Sequence, residues 1–155
     1  LAKLGAKAIL SALKQLSQQL FQPEKQDENL ANYAKKLNKV EAWIDWTQSA
    51  TEIDRHIRAF NPWPIGQSKL ADKIIRLHEA HTLEHTDTDY SDTMQNNYGE
   101  ILSYSKQGID IQCGHGQLRL TKCQLPGSRA MDVADLHNGH PELFKNGQHF
   151  VGPDS

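Results

Sequence analysis

The chain has 155 residues, of which 37% are hydrophobic and 23% charged; this is enough for one globular domain with an appended element and excludes a disordered chain. Its apolar runs fall far short of the roughly 18 residues that span a bilayer, and no signal peptide is recognisable, so we expect a cytoplasmic protein with no membrane partner. The two cysteines, Cys113 and Cys123, form no CxxC pair, which excludes a disulfide framework and favours reduced, buried thiols.

The net charge of −2 argues at first against a nucleic-acid partner, because phosphate binding needs clustered lysine and arginine. The negative charge is concentrated, however, since the segment from Glu79 to Glu100 holds six acidic residues and no Lys or Arg. Removing these six charges leaves +4 on the rest of the chain. We therefore expect a mildly basic body and one acidic segment, in which the polar residues 86–97 form a mobile loop.

The first predicted element is an amphipathic helix over residues 1–21, in which Ile9, Leu13, Leu16 and Leu20 share one face. An apolar face needs a partner to be buried against. It must either fold back on the rest of the chain or pack on residues upstream of Leu1, and we favour the second arrangement. The polar residues 22–38 that follow, which contain Pro23 and lack periodicity, predict an extended linker.

A short helix is predicted near residues 50–60, because Ser49 and Glu52 have the spacing of a capping box and Pro62 and Pro64 end the apolar period. Short alternating runs then predict β-strands at KIIRLHEA, GEILSYS, GIDIQCG and GQLRLTKCQL, with glycine turns at 106–108 and 114–116. A final helix is predicted from Asp132 to Gly139. The fold class is therefore mainly β with flanking helices, in the form of a meander or small barrel.

Three stretches in order carry a resemblance to a known family: NYAKKLNKVEAWIDW (32–46), IRAFNPWP (57–64) and GIDIQCGHGQLRLTKCQLPGSRAM (108–131). Together they resemble the methionyl-tRNA formyltransferases, from the end of the catalytic domain to the C-terminus. The first stretch favours these enzymes over formyltransferases that modify amino sugars or hydrolyse the folate. The resemblance implies that residues 1–21 are the last helix of a Rossmann-like catalytic domain, that 22–46 are the linker, and that 47–155 form a small, OB-like open β-barrel that binds tRNA.

The reaction that the resemblance implies is transfer of a formyl group from 10-formyltetrahydrofolate to the amino group of methionyl initiator tRNA. The family's catalytic Asn, His and Asp lie in the upstream domain, with the His in an HxSLLP-type motif that is absent here. No catalytic, cofactor-binding or metal-binding residue is therefore expected in this chain, which should be inactive alone. Its expected partners are initiator methionyl-tRNA and the upstream catalytic domain, and the intact family member is expected to be monomeric.

The predicted tRNA-binding residues are basic side chains that could follow a phosphate backbone without reading bases. They lie on the linker, the short helix, the strands and the last turn. The set comprises Lys35, Lys36, Lys39, Arg55, Arg58, Lys106, Arg119, Lys122 and Arg129. Of these, Lys35, Lys36, Lys39, Arg55 and Arg58 are expected to form one basic strip, away from the acidic segment. Arg58 could instead make a structural ion pair.

Other chemistry-bearing residues have plainer interpretations. Trp43, Trp46 and Trp63 could stack on bases, but anchoring of the linker and loop is favoured. A metal site built from His78, His81, His85, Asp87 and Asp89 is disfavoured, because a strand followed by a loop would not make these side chains converge. Gly114 and Gly116 lack the following helix that a phosphate cradle needs.

Two other functions remain open from the sequence. The chain could be an accessory or oligomerising domain of a sugar-nucleotide or folate formyltransferase or hydrolase, with no RNA role; tRNA binding that weakens with salt would argue against this. It could also be a free-standing metal-binding module, which predicts zinc in the purified protein.

Overall fold

The computed structural model describes residues 2–20, 22–83 and 97–153. Two compact units are present, Leu1–Lys36 and Leu37–Ser155. Residues 86–96 of the predicted acidic loop, together with Glu84 and His85, lie outside the described residues. Among the helices that are described, none is both long and apolar enough to cross a membrane.

The first unit is built on the helix α1 (Ala2–Ser17). The helix ends earlier than predicted because Gln19 adopts a left-handed backbone conformation (φ 58°), and the amides of Gln19 and Leu20 bond back to the last turn. The side chains of the predicted apolar face are more than half exposed, from 54% at Leu13 to 67% at Leu20. A short 3-10 turn at Glu28–Leu30, capped by Asp27, interrupts the predicted extended linker.

The second unit begins with a 3-10 turn at Lys39–Ala42. Ala42, Ile44 and Trp46 are buried in its core, so the last residues assigned to the linker from sequence lie inside this unit. The helix α2 (Ala50–Phe60) follows, with the predicted capping box: the Glu52 amide bonds to the Ser49 hydroxyl, and the Ser49 amide bonds to the Glu52 carboxylate.

Seven strands form one antiparallel sheet in the described part of the chain. They are β1 (Gly66–Leu70), β2 (Lys73–Leu83), β3 (Ile101–Ser105), β4 (Gly108–Gln112), β5 (Gln117–Gln124), β6 (Ala130–Asp132) and β7 (Phe150–Val151). The order across the sheet is β3-β4-β5-β2-β1-β7, and β6 pairs with β5. Backbone hydrogen bonds from residues 147–150 to residues 99–101 bring the two ends of this sheet together. The predicted class, mainly β with flanking helices around an open, OB-like barrel, is confirmed.

The core lies between α2 and the face of the sheet that α2 packs on, chiefly at β2 and β5. Alternate strand positions point inward, among them the predicted Ile75, Leu77, Leu118 and Leu120, all 1% exposed or less. The helix α3 (Val133–Gly139) adds Val133 and Leu136 to this core. Burial of these apolar side chains supplies the main driving force for the fold.

Two close contacts join residues 43–48, the entry segment of the second unit, to the sheet. The Trp46 indole donates to the Ser68 hydroxyl (2.9 Å), which donates in turn to the Val151 carbonyl (2.9 Å). The Gly114 amide donates to the carbonyls of Trp46 and Gln48. A Cβ at Gly114 would overlap the Thr47 carbonyl oxygen, so only glycine allows this approach. The 114–116 turn therefore holds the entry segment in place.

Candidate nucleic-acid interface

The predicted basic residues are spread over both units. Lys35 and Lys36 lie in the first unit, whereas Lys39 and the other six belong to the second. Arg55 and Arg58 lie one turn apart on the exposed side of α2. Lys106 lies in the turn between β3 and β4, and Arg129 lies just before β6; both are exposed and make no ion pair with a described residue. The structure thus places Arg55 and Arg58 together and does not define one continuous strip.

Arg58 combines an ion pair with an accessible guanidinium. Its Nε and Nη2 both lie 3.0 Å from Oδ2 of Asp54, one turn earlier on α2. The Arg58 side chain is still 64% exposed, compared with 17% for Asp54. An exposed i,i+4 pair contributes only about 0.3–0.5 kcal/mol, so the geometry orients the guanidinium without removing it from solvent.

His56 lies on the same helix and adds no positive charge to it. Its ring stacks on Phe60 with centroids 4.4 Å apart. Burial lowers the pKa of His56, and hydrogen bonding to the backbone of Ala42 and Glu41 opposes this only in part. At neutral pH the ring is therefore uncharged.

Arg119 is held by Asp110 on the outer side of the sheet. The two residues are directly opposite on β5 and β4, and Arg119 Nε and Nη2 lie 2.6 and 2.8 Å from the two carboxylate oxygens. Ser103 donates a further bond to Asp110 (2.8 Å). Burial acts to raise the pKa of Asp110, but hydrogen bonds from Arg119 and Ser103 and the charges of Arg119 and His81 lower it overall. This bidentate pair is a structural feature of the sheet.

Lys122 is also engaged with acidic residues. Its Nζ lies 3.2 Å from Glu79 and 3.8 Å from Asp132. Glu79 lies within β2 rather than in a loop, and it lines an open groove together with Arg58, Asn61, His78 and His81. Glu79 was expected to begin an acidic loop that lies away from the basic strip. That expectation is wrong at this position, because Glu79 is part of β2 and lines the same groove as Arg58 of the strip.

Two neighbouring cations on β2 were not among the residues predicted to bind RNA. Lys73 and Arg76 on β2 are exposed and make no ion pair with a described residue. Arg76 lies directly between Gln67 on β1 and Gln124 on β5. The alternation of KIIRLH already indicated that Arg76 points away from the core, since Ile75 and Leu77 point into it.

The three tryptophans have different environments. Trp46 is 4% exposed and packs against Phe150, with ring centroids 5.7 Å apart, so it is an anchor as predicted. Trp43 is partly buried and bridges to Gln67 on β1. Trp63, in the turn after α2, is 54% exposed, so the predicted anchoring role does not extend fully to it.

The described residues contain no group of three or more His, Cys, Asp or Glu side chains that could hold a metal ion. His85, Asp87 and Asp89 lie outside them. Cys113 and Cys123 are free and buried, and burial raises the pKa of each thiol to about 12. A thiol of that pKa is almost fully protonated at neutral pH and is a poor nucleophile. The burial of both thiols agrees with the prediction.

Comparisons with known proteins point to one family. The family described as "Formyl transferase, C-terminal domain" matches residues 36–141. A methionyl-tRNA formyltransferase from Marinobacter nauticus is 42% identical over 148 residues, which cover 96% of this chain and 45% of that protein. One from Pseudomonas syringae pv. tomato is 44% identical over 147 residues, covering 95% and 44%. The chain therefore spans a little under half the length of these relatives.

The fold is also similar to that of a solved protein of low sequence identity. HypX from Aquifex aeolicus, solved in complex with tetrahydrofolic acid, aligns with a TM-score of 0.61 and 21% identity over 90% of this chain and 24% of HypX. A variant of the same protein aligns with a TM-score of 0.62. This likeness supports the fold of the chain and, at such low identity, nothing further.

Proposed function

Since the chain belongs to the formyl transferase C-terminal domain family, we propose that it is the C-terminal, tRNA-binding portion of a methionyl-tRNA formyltransferase. The observation that carries this proposal is the similarity to proteins of that name, at 42–44% identity over 95–96% of the chain. The longer protein would transfer a formyl group from 10-formyltetrahydrofolate to methionyl initiator tRNA in the cytoplasm. The catalytic and folate-binding residues would lie in the part of the relatives that this chain does not span.

The role proposed for the chain is to hold the tRNA through its phosphates. Exposed cations without an ion pair in the described residues are the best candidates for such contacts, because no intramolecular bond has to be broken. They include Lys35, Lys36, Lys39, Lys106 and Arg129. Arg55, whose positive charge lies near Glu52, and Arg58 complete the set on α2. We assign Arg119 and Lys122 to the stability of the sheet instead.

Binding of initiator tRNA and of an elongator tRNA, measured at two salt concentrations, tests the proposal. We expect affinity for both to fall steeply with salt, since each phosphate contact releases counterions. An accessory domain with no RNA role would show no salt-dependent binding of either tRNA.

Substitution of single cations tests which residues face the RNA. We expect Lys36→Ala and Arg58→Ala each to weaken binding and to reduce the salt slope by about one unit per lost phosphate contact. Asp54→Asn is the matched control for Arg58, because it breaks the same ion pair and leaves the guanidinium in place. If Asp54→Asn weakens binding as much as Arg58→Ala, or if Arg58→Ala only lowers the melting temperature, Arg58 is structural.

A further inference from the structure

A cavity of about 290 Å³ opens at one end of the sheet, and none of the nine basic residues predicted from the sequence lines it. Its floor is formed by core side chains, Leu70, Ile75 and Phe144, which are 1–8% exposed. Leu125 and Pro126, in the loop after β5, form one wall. The size is near the lower end of the roughly 300–1,000 Å³ typical of small-ligand sites, which suits a planar ring rather than a larger ligand.

A second depression adjoins the cavity on the other side of the Leu125–Pro126 wall. Lys73, Leu125 and Pro126 line both, and Arg76 lines the second one. Gln67 and Gln124 flank Arg76 on the neighbouring strands. Asp72 is the one carboxylate among the described residues that line either depression, against the two cations Lys73 and Arg76.

We propose that these adjoining depressions bind one unpaired nucleotide of the RNA, with its base in the apolar cavity and its phosphate between Lys73 and Arg76. The inference rests on the proposed RNA-binding function. It follows from the adjoining positions of a largely apolar cavity, which suits a base, and of two cations that make no ion pair with a described residue, which suit a phosphate. Single-stranded nucleic acids are commonly held in this way, by apolar or aromatic surfaces for the bases and basic residues for the backbone.

Nucleotide fragments test the site independently of tRNA. In ¹⁵N–¹H spectra of the whole chain, we expect AMP to shift the amides around both depressions, ribose 5-phosphate only those around Lys73 and Arg76, and adenosine only those around the cavity. Ser128→Trp, at the exposed rim of the cavity, should abolish the base-dependent shifts and leave the phosphate-dependent ones. A response to AMP that Ser128→Trp leaves unchanged, or no response at either depression, would overturn the proposal.

Substitutions of the two cations connect the site to tRNA. We expect Lys73→Ala and Arg76→Ala each to weaken tRNA binding roughly tenfold, as for the loss of a charge-assisted hydrogen bond. Lys7→Ala on α1 removes the same charge elsewhere and should have little effect. If tRNA binds but both variants bind like the parent chain, the inference fails and the proposed function stands. If tRNA does not bind at all, the proposed function fails, and the AMP titration alone decides the inference.

A protein occupant would give a different result. If the cavity instead receives a second copy of this chain, sedimentation would show concentration-dependent association that Ser128→Trp abolishes, together with no AMP response. That outcome would overturn the proposal.

Discussion

At the scale of single residues, cations of the same type have different roles because of where the sheet register places them. Arg119 on β5 lies opposite Asp110 on the neighbouring strand β4, and its side chain is 26% exposed. Arg129 lies in an exposed loop. The charges of both are visible in the sequence, but the pairing of positions 110 and 119 depends on the turn between β4 and β5. The sequence alone therefore predicted a set of basic residues. Only the folded sheet shows which of them form ion pairs with acidic side chains and which can contact a phosphate.

The pair between Asp110 and Arg119 predicts a pH dependence of stability. Because the pKa of Asp110 is lower in the folded than in the unfolded chain, its contribution is fully present above about pH 4 and is lost as the pH falls through the folded value. We expect Asp110→Asn to lower the free energy of unfolding by about 2 kcal/mol at pH 7. The difference from the parent chain should shrink at pH 3. Urea unfolding at the two pH values measures both quantities.

The exposed Asp135 supplies the control for this prediction. Asp135→Asn removes one carboxylate that makes no ion pair with a described residue, and it should change stability by less than about 0.5 kcal/mol at either pH. An equal loss for Asp110→Asn at pH 7 and pH 3 would show that the carboxylate charge is not what stabilises the sheet.

At the scale of elements, a helix or strand could be predicted where neighbouring residues in the sequence carry a strong pattern. The bounds of α2 were predictable because Ser49 and Glu52 encode a cap and the prolines forbid continuation. The strand β1 was missed because its inward residues are Gly66, Ser68 and Leu70, which give no apolar alternation. Ser68 is tolerated inside because it accepts a bond from Trp46, a residue 22 positions away. No pattern among neighbouring residues of the sequence indicates such a contact.

The close approach at Gly114 predicts a large effect of a small substitution. Gly114→Ala would push a methyl group into the Thr47 carbonyl and separate the amide from its two acceptors. We expect a loss of stability of about 3 kcal/mol or more, or failure to fold, since the methyl group would overlap backbone atoms and the Gly114 amide would lose both of its hydrogen bonds to the entry segment. Thermal or urea denaturation checks this.

Gly139 is the matched position for that experiment. It lies in the last turn of α3, and a Cβ there would meet nothing within 4 Å. Gly139→Ala should therefore be neutral or stabilising by up to about 1 kcal/mol. Comparable losses at both positions would contradict the role given to the contact at Gly114.

At the scale of the whole molecule, the family resemblance was predictable because three motifs occur in the right order over nearly the full chain, and the family match over residues 36–141 confirms it. The surface was less predictable. Lys122 and Glu79 are 43 residues apart in sequence, and the depression near Lys73 joins three separated segments. Such sites arise from long-range packing, which periodicity and turn signals do not encode.

The division of labour proposed for the longer protein predicts that this chain alone has no formyltransferase activity. We expect no formylation of methionyl initiator tRNA when the chain is incubated with 10-formyltetrahydrofolate, because the family's HxSLLP-type motif does not occur in it. Any turnover above that of the reagents alone, retained after purification to homogeneity, would contradict this.

The pairing of β7 with β1 determines how early the sheet can be completed during synthesis. Leu70 pairs with Phe150, which follows it by 80 residues. The Phe150 side chain is buried and packs against Trp46. At about 5–20 residues per second, a ribosome needs roughly 4–16 s to supply the second partner after the first. Throughout that interval the part of the β1 edge that pairs with β7, at Lys69 and Leu70, is open to another extended chain, whereas Gln67 on the same strand is already paired with residues 43–44. The nascent barrel therefore passes through a stage in which this short strand edge lacks its final partner.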